Sequence, residues 1–80
     1  MYYVYLIQSI NFPATHYVGY TTNLKQRLET HNSGGSIHTA KDRPWRLVMY
    51  LGFVDRVRAK EFEDYLKSQS GRAFAAKRFL

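Results

Sequence analysis

Two short extended segments sit close together at the start of the chain, and each carries a tyrosine within an otherwise apolar run. Tyr2 to Ile7 reads YYVYLI and Thr15 to Tyr20 reads THYVGY. The first is aromatic and β-branched nearly throughout, as expected of a strand covered on both faces. Asn11-Phe12-Pro13 between them is a turn signal, so the pair predicts an antiparallel hairpin. Gly19 interrupts the second strand, and a glycine there marks a bulge or a close backbone approach. A hairpin at this position commits the remaining chain to covering its two faces.

Downstream, Leu24 to Asn32 reads as a short helix, with Thr21, Thr22 and Asn23 all competent to cap it. At about 100° per residue, Leu24, Arg27, Leu28 and His31 share one face. Arg27 and His31 are therefore expected at the rim of the core, where a cleft can open. Ser33-Gly34-Gly35-Ser36 ends this helix and begins a flexible loop that carries His38, Lys41 and Arg43 and closes at Pro44. Trp45 to Phe53 is a third strand, apolar enough for a central or well-covered position. Arg56 to Ser68 is a second helix capped by Asp55, with Ala59, Phe62 and Leu66 as its apolar stripe. Glu63 lies on the edge of that stripe and Glu61 on the opposite side. A carboxylate beside a core face is costly without a partner, and Lys60 and Lys67 are within helical reach of it. Gly71 breaks the pattern, and Arg72 to Phe79 forms a third helix with a basic face.

The order β-β-α-β-α-α predicts an α+β fold, a three-stranded antiparallel sheet flanked by helices. Eighty residues suffice for one small core, so residues 1–80 are expected to form a single domain. Twelve Lys and Arg against six Asp and Glu leave a formal charge of +6. That excess points to a polyanionic partner held by phosphate neutralisation. Cysteine is absent, which excludes disulfides and thiolate metal centres. His16, His31 and His38 lie on different elements without metal-ligand spacing. No run is long enough for a membrane span, and no signal-peptide pattern opens the chain. A cytoplasmic location is expected.

Tyr5, Tyr17, Arg27, His31 and Glu63 remain as polar groups near the core edge. Singly, each has an ordinary structural reading: a packed ring, a snorkelling arginine, a helix-end histidine, a salt-bridged carboxylate. Together they supply what phosphodiester hydrolysis needs. The attacking water must lose a proton, and charge must gather against a cation in the transition state. An arginine makes bidentate contact with phosphate oxygens, and a lone carboxylate can hold one hydrated divalent ion.

These residues fall in an order that resembles the GIY-YIG nuclease superfamily, most closely its small single-domain bacterial members. Tyr3-Val4-Tyr5 resembles the first signature, with Tyr3 in place of glycine, and Tyr17-Val18-Gly19 the second. Leu24-Lys25-Gln26-Arg27-Leu28 followed by His31-Asn32, the segment RPWRLVMY, the set Ala59, Glu63, Leu66 and Lys67, and the tail GRAFAAKRF extend the likeness over essentially all 80 residues. The resemblance implies a DNA endonuclease using one magnesium or manganese ion. Carried over by position, Tyr17 is the general base and Tyr5 its helper or a phosphate ligand. Arg27 stabilises the transition state, His31 contacts phosphate or assists proton transfer, and Glu63 is the sole protein ligand to the metal. Gly19 lets the backbone approach substrate or the following helix. Lys41, Arg43 and Arg72 join Gly19 as expected substrate contacts. Two departures stand out: Tyr20 follows the second signature where some relatives have lysine, and no asparagine follows Glu63, as it does in larger relatives.

A domain this small has no separate sequence-reading module, so selectivity must come from DNA shape, from a homodimer or from a partner protein. DNA is expected ahead of RNA. The alternative is a nucleic-acid-binding module of weak or no catalysis, with basic and aromatic residues stacking on unpaired bases. A third reading uses the Trp45–Phe53 strand as an edge for protein interaction.

Overall fold

The computed structural model describes all 80 residues. Strands β1 (Tyr2–Ser9), β2 (His16–Thr21) and β3 (Trp45–Phe53) form one antiparallel sheet in the order β2-β1-β3. Helix α1 (Leu24–Ser33) follows the hairpin, and α2 (Arg56–Lys67) and α3 (Gln69–Arg78) follow β3. The expected α+β architecture and element order are both present. No helix is long and apolar enough to cross a membrane.

The YYVYLI run is the middle strand, and its alternation builds two cores. Val4 and Leu6 point to one face and pack with Ala59, Leu66 and Ala75 of α2 and α3. Tyr5 and Ile7 point to the other, against Trp45, Leu24 and Leu28. Side-chain period 2 along a strand accounts for the split. Each fully buried aliphatic side chain contributes about 1.5–3 kcal/mol, so β1 anchors both layers.

The third strand departs from expectation. β3 is an edge, with Tyr50 and Leu51 exposed. Its apolar residues serve β1 from one side only, and its pairing slips between Leu6 and Ile7, where Met49 and Leu47 are the successive partners and Val48 is the extra residue of a bulge. The loop after α1 also differs from the flexible segment expected. It contains a 3₁₀ turn at Ala40–Asp42 and is tied down by side chains. Ser9 Oγ donates to Asp42 O at 2.7 Å, Trp45 Nε1 to Thr39 O at 2.9 Å, and Arg43 Nη1 to Ala40 O at 2.7 Å.

Gly71 does not break a helix. α3 begins earlier, at Gln69, because the Ser68 hydroxyl accepts from the Gly71 amide at 3.1 Å and caps it. A Cβ on Gly71 would lie 1.8 Å from Tyr65 O and 2.7 Å from Leu66 Cα. The glycine is there so that α3 can fold back against the end of α2.

Candidate active site

Helix α1 starts at Asn23, whose side chain accepts from the Gln26 amide at 3.1 Å, and ends at Gly34 in the left-handed region, φ 84°. Leu24 and Leu28 seat it on the Tyr5–Ile7–Trp45 cluster. At its last turn Asn32 makes two hydrogen bonds with the Trp45 backbone, accepting from the amide at 2.6 Å and donating to the carbonyl at 3.2 Å. This fixes the pitch at which the helix lies across the sheet. One turn apart on it, Arg27 and His31 take different environments: Arg27 is exposed, whereas His31 is 2% exposed.

His31 thus lies beneath the rim at which the sequence placed it. Both ring nitrogens are engaged inside the protein. Nε2 lies 2.7 Å from Tyr5 Oη and Nδ1 lies 2.7 Å from Thr39 Oγ1. Burial, and then the neighbouring Arg27 charge, hold its pKa below the usual 6.5, so the ring is neutral at neutral pH. A neutral imidazole has one donor and one acceptor, so one of the two hydroxyls donates to it and the other accepts from it. Thr39 is 1% exposed. Nothing in the polar stretch around Thr39 singles it out in the sequence, and it is the buried partner of His31 that the sequence did not reveal.

Tyr5 is 1% exposed. Burial pushes its hydroxyl up to about 12; the Arg27 guanidinium opposes that rise, and Tyr17 and Glu63 add to it. Its ring lies directly over Gly19, its partner on β2. A Cβ on Gly19 would fall 2.2 Å from Tyr5 Oη. The glycine therefore admits the Tyr5 ring, where the expectation was a close approach by substrate or helix. Tyr17 stands two residues away on the same face of β2, half-buried, its ring edge-on to His31 with centroids 5.3 Å apart.

Glu63 approaches from α2, whose N-terminus is capped by Asp55 accepting from the Val57 amide at 2.8 Å. The residue is 6% exposed. Lys60 Nζ donates to Oε1 at 2.9 Å and Lys67 Nζ to Oε2 at 3.0 Å. Burial favours the protonated acid, but the two lysines outweigh it and hold the carboxyl below the usual 4.5. Lys60, raised in turn by the same pair, also lies over the Tyr20 ring, 4.7 Å from its centroid.

Tyr5, Tyr17, Arg27 and His31 thus form one cluster on the α1 side of the hairpin, and the charge of Glu63 is felt at the Tyr5 hydroxyl. The remaining expected contacts lie outside the cluster. Lys41 is exposed on the loop, and Arg43 folds back onto it. Arg72 borders a cleft of about 530 Å³ with Lys67, His16 and Tyr17. Glu63 provides one anionic oxygen donor group, and no three His, Asp or Glu residues gather as a cage. That donor set suits a hard cation that keeps most of its waters and shares substrate oxygens.

Residues 1–77 match the GIY-YIG catalytic domain family. Among curated relatives, structure-specific endonuclease subunit SLX1 of Candida dubliniensis is 41% identical over 73 residues, covering 82% of this chain and 26% of its own length. The SLX1 homologue of Drosophila mojavensis is 39% identical over 71 residues, covering 78% of this chain and 23% of its own. The chain therefore spans about a quarter of the length of these relatives. Among solved structures, the UPF0213 protein of Bacillus halodurans superposes with a TM-score of 0.57 at 30% identity, covering 96% of this chain and 84% of that one. With the signature tyrosines on a hairpin, the arginine on α1 and the glutamate on α2, and with the family match running over residues 1–77, the chain belongs to the GIY-YIG nuclease superfamily.

Proposed function

We propose that this chain hydrolyses phosphodiester bonds in DNA, selecting branched or unpaired structures, with one magnesium or manganese ion. The observation that carries the reading is the buried Tyr5–His31–Thr39 hydrogen-bond chain, flanked by exposed Arg27 and half-buried Tyr17. A divalent ion, when bound, supplies Lewis-acid stabilisation of phosphate and leaving oxygens. Glu63 would hold it.

This chain's own residues divide the remaining work. Arg27 offers a fork of donors to the phosphate and opposes its developing charge. Tyr5 is protonated at neutral pH and cannot act alone as a base, but with His31 Nε2 as acceptor it can take the water's proton while passing its own inward. Tyr17 has no such onward acceptor. The base role expected of Tyr17 therefore moves to Tyr5, and Tyr17 is left to bind the phosphate beside Arg27. Residues 1–80 act as one catalytic unit, and the SLX1 relatives, being named subunits, support a partner protein that supplies selectivity.

The test is incubation of labelled flaps, junctions, duplex and single strands with magnesium or manganese. Cleavage is expected on branched or unpaired DNA and is abolished by Glu63→Gln and Arg27→Ala. Cleavage in chelator, or full activity in both variants, overturns the mechanism. A second reading, binding without catalysis, is favoured by one observation: both Glu63 oxygens already hold lysines. Binding that persists in chelator, with no product in either metal, selects that reading.

A further inference from the structure

Each oxygen of the carboxylate assigned to the metal already accepts from a lysine. Lys60 sits three residues before Glu63 and Lys67 four after it, so helical spacing brings both ammonium groups onto the α2 stripe that carries the carboxylate. The carboxylate side chain is 8% exposed, while those of Lys60 and Lys67 are 47% and 49% exposed. The anion is fixed and its partners are not. A lysine ammonium on a four-carbon stem can reach a new acceptor without backbone motion.

We propose that Lys60 and Lys67 form an exchangeable clamp on Glu63. In the free protein they close the metal-binding carboxylate. On DNA they transfer to phosphate oxygens and yield that carboxylate to the divalent ion. The proposal rests on the nuclease reading and deepens it by adding two phosphate ligands to the site.

Three observations support the exchange. A buried carboxylate cannot stay ionised without a cation, so the lysines hold their places until the ion takes over. An ion entering while both remain would meet two like charges at hydrogen-bond range of the same oxygens. Lys67 also lines the cleft with Arg72, His16 and Tyr17, so a released Lys67 joins a basic row beside the signature tyrosine. Metal and DNA then strengthen each other's binding, and the coupling is reciprocal.

Manganese binding to the free chain, read by electron paramagnetic resonance, tests the clamp without any cleavage. Glutamine at both lysine positions keeps a donor against Glu63 and removes the charge. Glu63-dependent manganese affinity is expected to rise at least about fivefold in Lys60→Gln/Lys67→Gln, the lower end of ordinary coupling between sites. Adding Glu63→Gln should remove the gained binding. Equal affinity with and without the lysine charges overturns the clamp alone. If Glu63→Gln changes manganese binding in neither background, the metal assignment falls, and with it both the clamp and the metal-dependent reading. A second measurement follows duplex affinity against salt in magnesium, in an Arg27→Ala background with the recovered DNA checked for intactness. Each lysine contact removed should lower the salt slope by roughly 0.9; an unchanged slope overturns the transfer to phosphate.

Discussion

Gly19→Ala tests the floor of the site. The added methyl would lie 2.2 Å from Tyr5 Oη, 2.3 Å from Cζ and 2.8 Å from Cε1. Ordinary contact begins near 3.4 Å, so the ring must retreat by about 1.2 Å, the difference between the two distances, or the strands must part. A ring buried between α1 and the sheet has no slack in that direction, and forced repacking of this kind costs about 1–3 kcal/mol. The same movement stretches the 2.7 Å bond to His31 Nε2. Losing it strands two buried polar groups and adds about 1–3 kcal/mol. The expected loss is therefore about 2–6 kcal/mol, against a total stability that is ordinarily about 5–15 kcal/mol. Urea unfolding followed by circular dichroism reads it directly, and the melting temperature should fall by at least about 8 °C for a domain of this size. The cost belongs to one pair, so it should shrink when Tyr5→Leu is already present. A loss under about 0.5 kcal/mol, the range of an ordinary surface change, would refute the packing argument. So would a cost that Tyr5→Leu leaves unchanged.

The relay separates the two tyrosines: Tyr5→Phe should lower the single-turnover cleavage rate by about 10²–10⁴-fold, the usual share of a general base, and by more than Tyr17→Phe does; the reverse ranking returns the base role to Tyr17. His31 has a folded pKa below its unfolded 6.5, so the unfolded chain binds the extra proton. Its contribution is complete above pH 6.5 and falls away as the pH drops below that value. Glu63, also lowered, loses its contribution only below its unfolded 4.5. Urea midpoints between pH 7 and 5 should decline in the native chain and flatten in His31→Gln; parallel curves would place the titrating group elsewhere. Gly71→Ala, with its Cβ 1.8 Å from Tyr65 O, should cost at least about 1–3 kcal/mol and loosen α3 in hydrogen exchange, whereas an unaltered exchange pattern would mean that the α2–α3 junction tolerates a side chain.

Much of the fold was legible because each element had its own period and punctuation. The hairpin came from two β-rich runs and a turn, α2 from a clean Ala59–Phe62–Leu66 stripe with Asp55 before it. Glu63 was readable as a carboxylate beside the core because its angular position put it on the edge of that stripe. Where reading failed, the deciding contact was tertiary. Composition could not distinguish the middle strand from the edge, since β1 and β3 are similarly apolar and only strand order decides which is covered twice. Periodicity put Arg27 and His31 on one face correctly, but whether a residue ends at the rim or beneath it depends on how α1 tilts, and that is set by Asn32 against Trp45. Thr39 had no local signal at all, since its importance arises from two partners distant in sequence.

Thr39 also bears on the binding proposed above. Its side chain meets His31 while its carbonyl accepts from Trp45 Nε1, so the segment bearing His38, Lys41 and Arg43 is stitched to both the helix and the sheet. The entropy of ordering that segment is lost when the chain folds and is not lost a second time on meeting a polyanion. The backbone that carries Lys41 and Arg43 is thereby held at fixed spacing, and the Arg43 guanidinium is itself pinned on Ala40 O. Under the proposed function, a backbone set in advance meets phosphates at distances that a bend or branch in DNA alters, while the base sequence goes unread.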